Sequence, residues 1–129
     1  MWWVDAFTDD SARGNPAVVV LLERSMSDGD LQQIAFELGV SETAFVRRVG
    51  DSWHLRWFTP TVEVDLCGHA TLATLHVLLT ELGVPGGEFY FQTRAGVLSG
   101  RRLGQGLLAV DLPRQHVEPL DPTVLNGAL

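Results

Sequence analysis

A chain of 129 residues, 46% of them hydrophobic, has the size of one domain and enough apolar mass for a core, which excludes a mainly disordered polypeptide. Nine basic against 16 acidic side chains give a net charge of −7, which argues against nucleic acid or an anionic membrane surface as a partner. Cys67 is the only cysteine, so no intrachain disulfide forms, and no spacing of His, Cys, Asp or Glu resembles a zinc motif.

Trp2 to Phe7 reads as a strand, followed by a polar turn from Thr8 to Asn15. Pro16 to Leu22, rich in Val and Leu, reads as a buried strand. Ser27 and Asp28 are candidate N-caps, Leu31, Ile34, Ala35 and Leu38 recur at helical spacing, and Gly39 ends the helix. Thr43–Val49 and Trp53–Phe58 read as a hairpin turned at Gly50-Asp51, and Val62–Leu66 as a short strand. Gly68 to Leu82 reads as a second helix, apolar over most of its circumference and therefore buried, and stopped by Gly83 and Pro85. Glu88–Thr93, Gly96–Ser99 and Leu107–Leu112 complete about eight strands. The expected fold is α+β, a curved, mostly antiparallel sheet rolled around the buried second helix. The expected domain is 1–115, with 116–129 a tail or the start of a second domain.

No charged segment precedes an apolar leader, and the apolar stretch 72–79 is interrupted by Thr74 and His76 and too short for a bilayer. The expectation is a soluble cytoplasmic protein without a membrane partner.

Two short runs concentrate the chemistry. In Ser41-Glu42-Thr43-Ala44-Phe45, a carboxylate follows a helix end and opens an apolar strand. Partial desolvation there raises its pKa and suits it to carry a proton near neutral pH. In Cys67-Gly68-His69-Ala70-Thr71, an imidazole lies in the first turn of the buried helix, whose positive end favours the neutral ring. The N–H groups of Gly68, His69 and Ala70 can hold a carboxylate or an enolate oxygen, and Gly68 lets a ligand approach the backbone. Cys67 is a possible thiol acid/base, since a helix N-terminus lowers a thiol pKa, although a lone Cys beside Gly is more often a small buried hydrophobe. Asn15 sits in a Gly-Asn-Pro turn from which its amide can point into a site. His54 reads as solvent-facing, His76 as a satisfied core histidine, His116 as part of the tail, and Trp57 and Phe58 as walls of a cleft.

Taken in order, six runs resemble one family: Val4-Asp5-Ala6-Phe7-Thr8, Gly14-Asn15-Pro16-Ala17-Val18, Gln32-Gln33-Ile34-Ala35, Ser41-Glu42-Thr43-Ala44-Phe45-Val46, Leu55-Arg56-Trp57-Phe58-Thr59-Pro60 and Leu66-Cys67-Gly68-His69-Ala70-Thr71. They are similar to the N-terminal half of the PhzF-like isomerases of phenazine biosynthesis. The resemblance implies one half of a diaminopimelate epimerase-like fold, with an active site in the cleft between two similar halves. It implies Glu42 as the proton carrier, with His69 and Gly68 in contact with the substrate; His69 is also a catalytic candidate, and Ser41, Ala70 and Asn15 are further substrate-binding candidates, although Asn15 is more often an ordinary turn residue. It places Cys67 where related epimerases hold a catalytic thiol, and it implies neither metal nor organic cofactor.

Family members are about twice as long. The expectation is therefore a homodimer, or pairing with a separate second-half chain, that completes the cleft around a small carboxylate substrate. The rival readings are a non-catalytic binding or scaffold protein that keeps the fold, and a thiol epimerase using Cys67 from two protomers.

Overall fold

The computed structural model describes residues 1–6, 15–104 and 107–111. In chain order these form β1 (Trp2–Ala6), β2 (Asn15–Leu21), α1 (Asp28–Leu38), β3 (Glu42–Val49), β4 (Ser52–Phe58), β5 (Glu63–Val64), α2 (Gly68–His76), β6 (Glu88–Thr93), β7 (Gly96–Gly104) and β8 (Leu107–Asp111). The polar turn ending at Asn15 and the tail 116–129, His116 included, lie outside the described residues apart from the backbone of Asn15.

All the strands join one sheet in the order β1-β2-β3-β4-β6-β7-β8, with β5 paired to β4. β2–β3 and β4–β6 are parallel, and the remaining pairs are antiparallel. Each parallel pair needs a crossover, and the two helices supply them. α1 bridges β2 to β3, and α2 lies between β4 and β6 in the chain.

The period-2 alternation of the strands sorts the side chains onto two faces. On β3, Ala44 and Val46 enter the core around α2, whereas Phe45 packs under α1. On β4, Trp53, Leu55 and Trp57 face α2 and Phe58 faces α1. The sheet is thus covered on both sides there. α2 touches β1, β2 and β3 as well as β7 and β8. Since β1 and β8 are the two edges of the sheet, one helix reaches both only if the sheet curls around it. This is the α+β roll expected from the sequence.

α1 starts where Ser27 Oγ accepts the N–H of Asp30 at 3.1 Å, and it ends at Gly39, whose φ of 67° lets its N–H reach Ala35 O. α2 is buried on nearly every side from Ala70 to Leu75, as its composition demands. Its two buried hydroxyls are satisfied within the helix: Thr71 Oγ1 donates to Cys67 O at 2.7 Å and Thr74 Oγ1 to Ala70 O at 2.8 Å.

Several boundaries differ from the sequence reading. The second helix does not run as α-helix to Leu82; Val77–Glu81 widens into a π-turn in which Leu82 N donates to Val77 O. The strand expected over Val62–Leu66 shortens to Glu63–Val64, because Thr59 turns the chain there through bonds to Thr61, Val62 and the carbonyl of Val62. The strand expected over Gly96–Ser99 extends to Gly104, paired with both β6 and β8. Trp57 and Phe58 are not cleft walls. Each is fully buried, on opposite faces of the sheet.

Candidate functional site

Glu42 is the first residue of β3 and lies in register with Ala17 of β2. It shares its face with Ala44 and Val46, so its side chain is directed to the α2 side of the sheet. α2 begins opposite. Cys67 is its N-cap residue, with extended backbone, and Gly68, His69 and Ala70 form its first turn. The result is a meeting of two segments far apart in the chain. A carboxylate oxygen of Glu42, the sulfur of Cys67 and a ring nitrogen of His69 all lie within 4.8 Å of one another. Sequence spacing gave no hint of this cluster. The available signal was the Cys-x-His step at the helix start, which sets two donors on one side of the first turn.

Each group is shifted by its surroundings. Burial raises the Glu42 carboxyl above its ordinary 4.5. Its Oε2 atom is buried and has no hydrogen-bond partner among the described residues. Burial lowers the His69 pKa, which keeps the imidazole neutral at pH 7; the sequence reading reached the same protonation state through the helix dipole. The Cys67 thiol goes the opposite way from what a helix N-terminus alone would give. Desolvation first, and the nearby Glu42 charge second, push it up to about 12, although the N–H groups of Ala70 and His69 pull it down. Cys67 is therefore a protonated, half-buried thiol at neutral pH.

That protonation has a geometric consequence. Cys67 Sγ lies 3.4 Å from His69 Nδ1. A thiol that keeps its proton donates it to Nδ1, and a neutral ring accepting at Nδ1 carries its own proton on Nε2. His69 is thus a donor at Nε2.

The other candidates fall around this cluster unevenly. Gly68 is half-buried in the first turn. The Ala70 side chain is fully buried in the core, so only its backbone N–H is available to a site. Ser41 is exposed immediately before Glu42. Asn15 opens β2 opposite Ala6, and its side chain lies outside the described residues. His54 is exposed and His76 contacts Thr80 Oγ1 at 3.4 Å; neither joins the cluster. A concavity of about 130 Å³ lies on the opposite face of the sheet between α1 and the strands, where Arg47, His54 and Arg56 surround Leu31 and Phe45.

The segment that delivers Cys67 is tied down by an ion-pair chain that the sequence reading missed. Arg56 of β4 holds Glu63 of β5 through two bonds of 2.8 Å and Asp28 of α1 at 2.9 Å. Arg94 bridges Glu63 and Asp65 from the β6–β7 turn. Nothing in the local sequence marks these residues, because their partners come from different elements. No helix among the described residues is long and apolar enough to cross a membrane.

Residues 4–115 match the family described as phenazine biosynthesis-like protein, PhzC-PhzF. A protein of Pseudomonas aeruginosa described as an uncharacterized isomerase is 47% identical over 121 residues, which are 94% of this chain and 46% of that protein. The crystal structure of a PhzF-family phenazine biosynthesis protein of Enterococcus faecalis superposes with a TM-score of 0.76 at 43% identity, over 81% of this chain and 40% of that one. A predicted epimerase of Pseudomonas aeruginosa shares the fold, with a TM-score of 0.69 at 22% identity, over 84% of this chain and 40% of that one. The chain spans a little under half the length of these proteins. With most of its length matched, it belongs to the PhzC-PhzF family of phenazine biosynthesis-like proteins.

Proposed function

We propose that this chain is the Glu42-bearing half of an isomerase or epimerase that moves a proton on a small carboxylate metabolite. One observation carries the reading. The Glu42 carboxylate, desolvated and with Oε2 unpartnered among the described residues, stands within 4.8 Å of a neutral imidazole at a helix N-terminus. A carboxylate with a raised pKa takes a proton from an acidic carbon and returns it at another position or on another face. The Nε2–H of His69 holds the substrate or its developing enolate oxygen, and the first-turn N–H groups of α2 favour the negative charge. In this reading Gly68, Ser41, Ala70 and Asn15 would contact the substrate. The reading calls for neither a metal nor an organic cofactor. The isomerase and epimerase descriptions of its relatives support the same reaction class.

A second chain completes the cleft: another copy, which sets Glu42 and His69 opposite their counterparts, or a separate second half. In the proteins it resembles, a further segment of similar size accompanies the matched half. The second reading is a binding or scaffold protein that keeps the fold without turnover. Solvent deuterium separates the two. The chain is incubated in D₂O with a panel of small amino and unsaturated carboxylic acids, and carbon-bound label is read by mass spectrometry. Label that depends on Glu42, lost at least about 100-fold in Glu42→Gln, supports the enzyme. Bound acids that gain no label support the binder. Native mass in solution reports the pairing, with two chains per particle expected.

A further inference from the structure

We propose that Glu42, Cys67 and His69 together form a binding site for a soft divalent cation of the zinc class, and that the bound cation blocks the proton carrier. The binding itself stands on geometry alone; the block rests on the isomerase reading above.

The donor set is thiol, imidazole and carboxylate, which matches zinc and its neighbours and not the oxygen-seeking magnesium or calcium. With bonds of about 2.0–2.3 Å to a tetrahedral zinc, ligand atoms stand roughly 3.3–3.8 Å apart. Cys67 Sγ and His69 Nδ1 are already at 3.4 Å. The Glu42 oxygen lies within 4.8 Å of the other two donors, and a glutamate side chain closes a gap of about 1 Å by rotation without moving β3. Cys67 and His69 are fixed by the first turn of a buried helix, and Glu42 by a paired strand, so the site needs little ordering on binding.

The charges agree. A divalent cation compensates a carboxylate whose Oε2 is buried without a partner among the described residues. Binding exchanges the thiol proton for the metal: the S–H bond breaks, a sulfur–metal bond forms, and one proton leaves to solvent. Three protein donors leave a fourth position open to water or to a substrate carboxylate. The cation then occupies the same carboxylate oxygen that carries the proton.

The test uses cobalt(II) as a spectroscopic stand-in and zinc as competitor, on the full chain. Expected are tetrahedral visible bands with a thiolate charge-transfer band, erased by stoichiometric zinc. Cys67→Ser removes the charge-transfer band, and Cys67→Ser and His69→Asn each weaken zinc binding about 100-fold. His54→Asn, on the other face, leaves binding unchanged. A second measurement needs no variant. Cys67 is the only cysteine, so its alkylation rate reports the site directly, and zinc should slow it at least about tenfold. Alkylation unaffected by zinc, or cobalt bands lacking thiolate character, overturns the site. Because neither readout needs turnover, this failure leaves the isomerase reading standing. Zinc binding without loss of deuterium exchange overturns the block and keeps the site.

Discussion

Arg56 grips Glu63, whose side chain is 12% exposed, through two parallel hydrogen bonds of 2.8 Å. The guanidinium holds the Glu63 carboxyl below its ordinary 4.5. The pair ties β4 to β5, three residues before Cys67, and so helps set where α2 begins. Replacing Arg56 by Met leaves a mostly buried carboxylate with only Arg94. Between the small value of exposed pairs and the large cost of breaking buried ones, about 2 kcal/mol of stability should be lost, measured by urea unfolding. Asp28, 84% exposed at the other side of the guanidinium, is a contrast: Asp28→Ala should cost less than about 0.5 kcal/mol. The lowered Glu63 pKa contributes stability above pH 4.5 that disappears as pH falls through its folded value, and Arg56→Met should weaken that acid dependence, leaving the part due to Arg94.

Glu42 has the opposite linkage. Burial raises its pKa, so the folded chain binds this proton more tightly than the unfolded chain does. Its stabilising protonation is fully present below pH 4.5 and is lost as pH rises through the folded value, where a desolvated charge remains. Glu42→Gln carries no such charge. It should be more stable than the parent at pH 8 and equal to it near pH 4, by denaturant midpoints at both pH values, while Glu42-dependent exchange is lost. A variant less stable than the parent at pH 8 would contradict the desolvation argument.

The ring of His69 offers a direct spectroscopic check. With the Cys67 thiol donating to Nδ1, nitrogen chemical shifts should report a single tautomer protonated at Nε2. Cys67→Ala removes the donor, and the shifts should move toward a tautomer mixture. Exchange activity should fall less than about tenfold, since the thiol only orients the ring. A loss as deep as that of Glu42→Gln would instead favour a thiol epimerase.

Gly100 of β7 tests the roll itself. A Cβ there would lie 3.0 Å from Leu75 Cδ2 and 3.4 Å from Phe91 Cε2, two fully buried side chains. Gly100→Val should destabilise by about 1–3 kcal/mol through overpacking. Combined with Leu75→Ala, which opens space on α2, it should cost less than the two changes summed, a coupling read from a double-mutant cycle.

Much of this was legible in the chain because local and global signals agree. Leu31, Ala35 and Gly39 mark α1, and the all-round apolar surface of α2 allows only a buried helix. The alternation of Trp53, Leu55 and Trp57 fixes which face of β4 meets that helix. Glu42 and His69 were readable as candidates since each adjoins a helix terminus. The direction of the Cys67 pKa shift was not, because a helix end and a desolvating pocket push a thiol in opposite directions, and only the degree of burial decides between them. The Arg56–Glu63–Arg94 chain was equally hidden, since it depends on how separate strands and turns pack. The cleft walls were misplaced at Trp57 and Phe58 for a related reason: their aromatic mass fills both faces of a sheet covered on two sides.

The widened turn at Val77–Glu81 has a consequence for how this chain tolerates change. A π-turn accommodates one residue more than the α-helical path around it, and here it sits at the end of the helix remote from Cys67, Gly68 and His69. An insertion or deletion near Thr80 can therefore be taken up by winding or unwinding that single loop of backbone before Gly83. The end of the helix that carries Cys67, Gly68 and His69 then stays in register while the far end shifts.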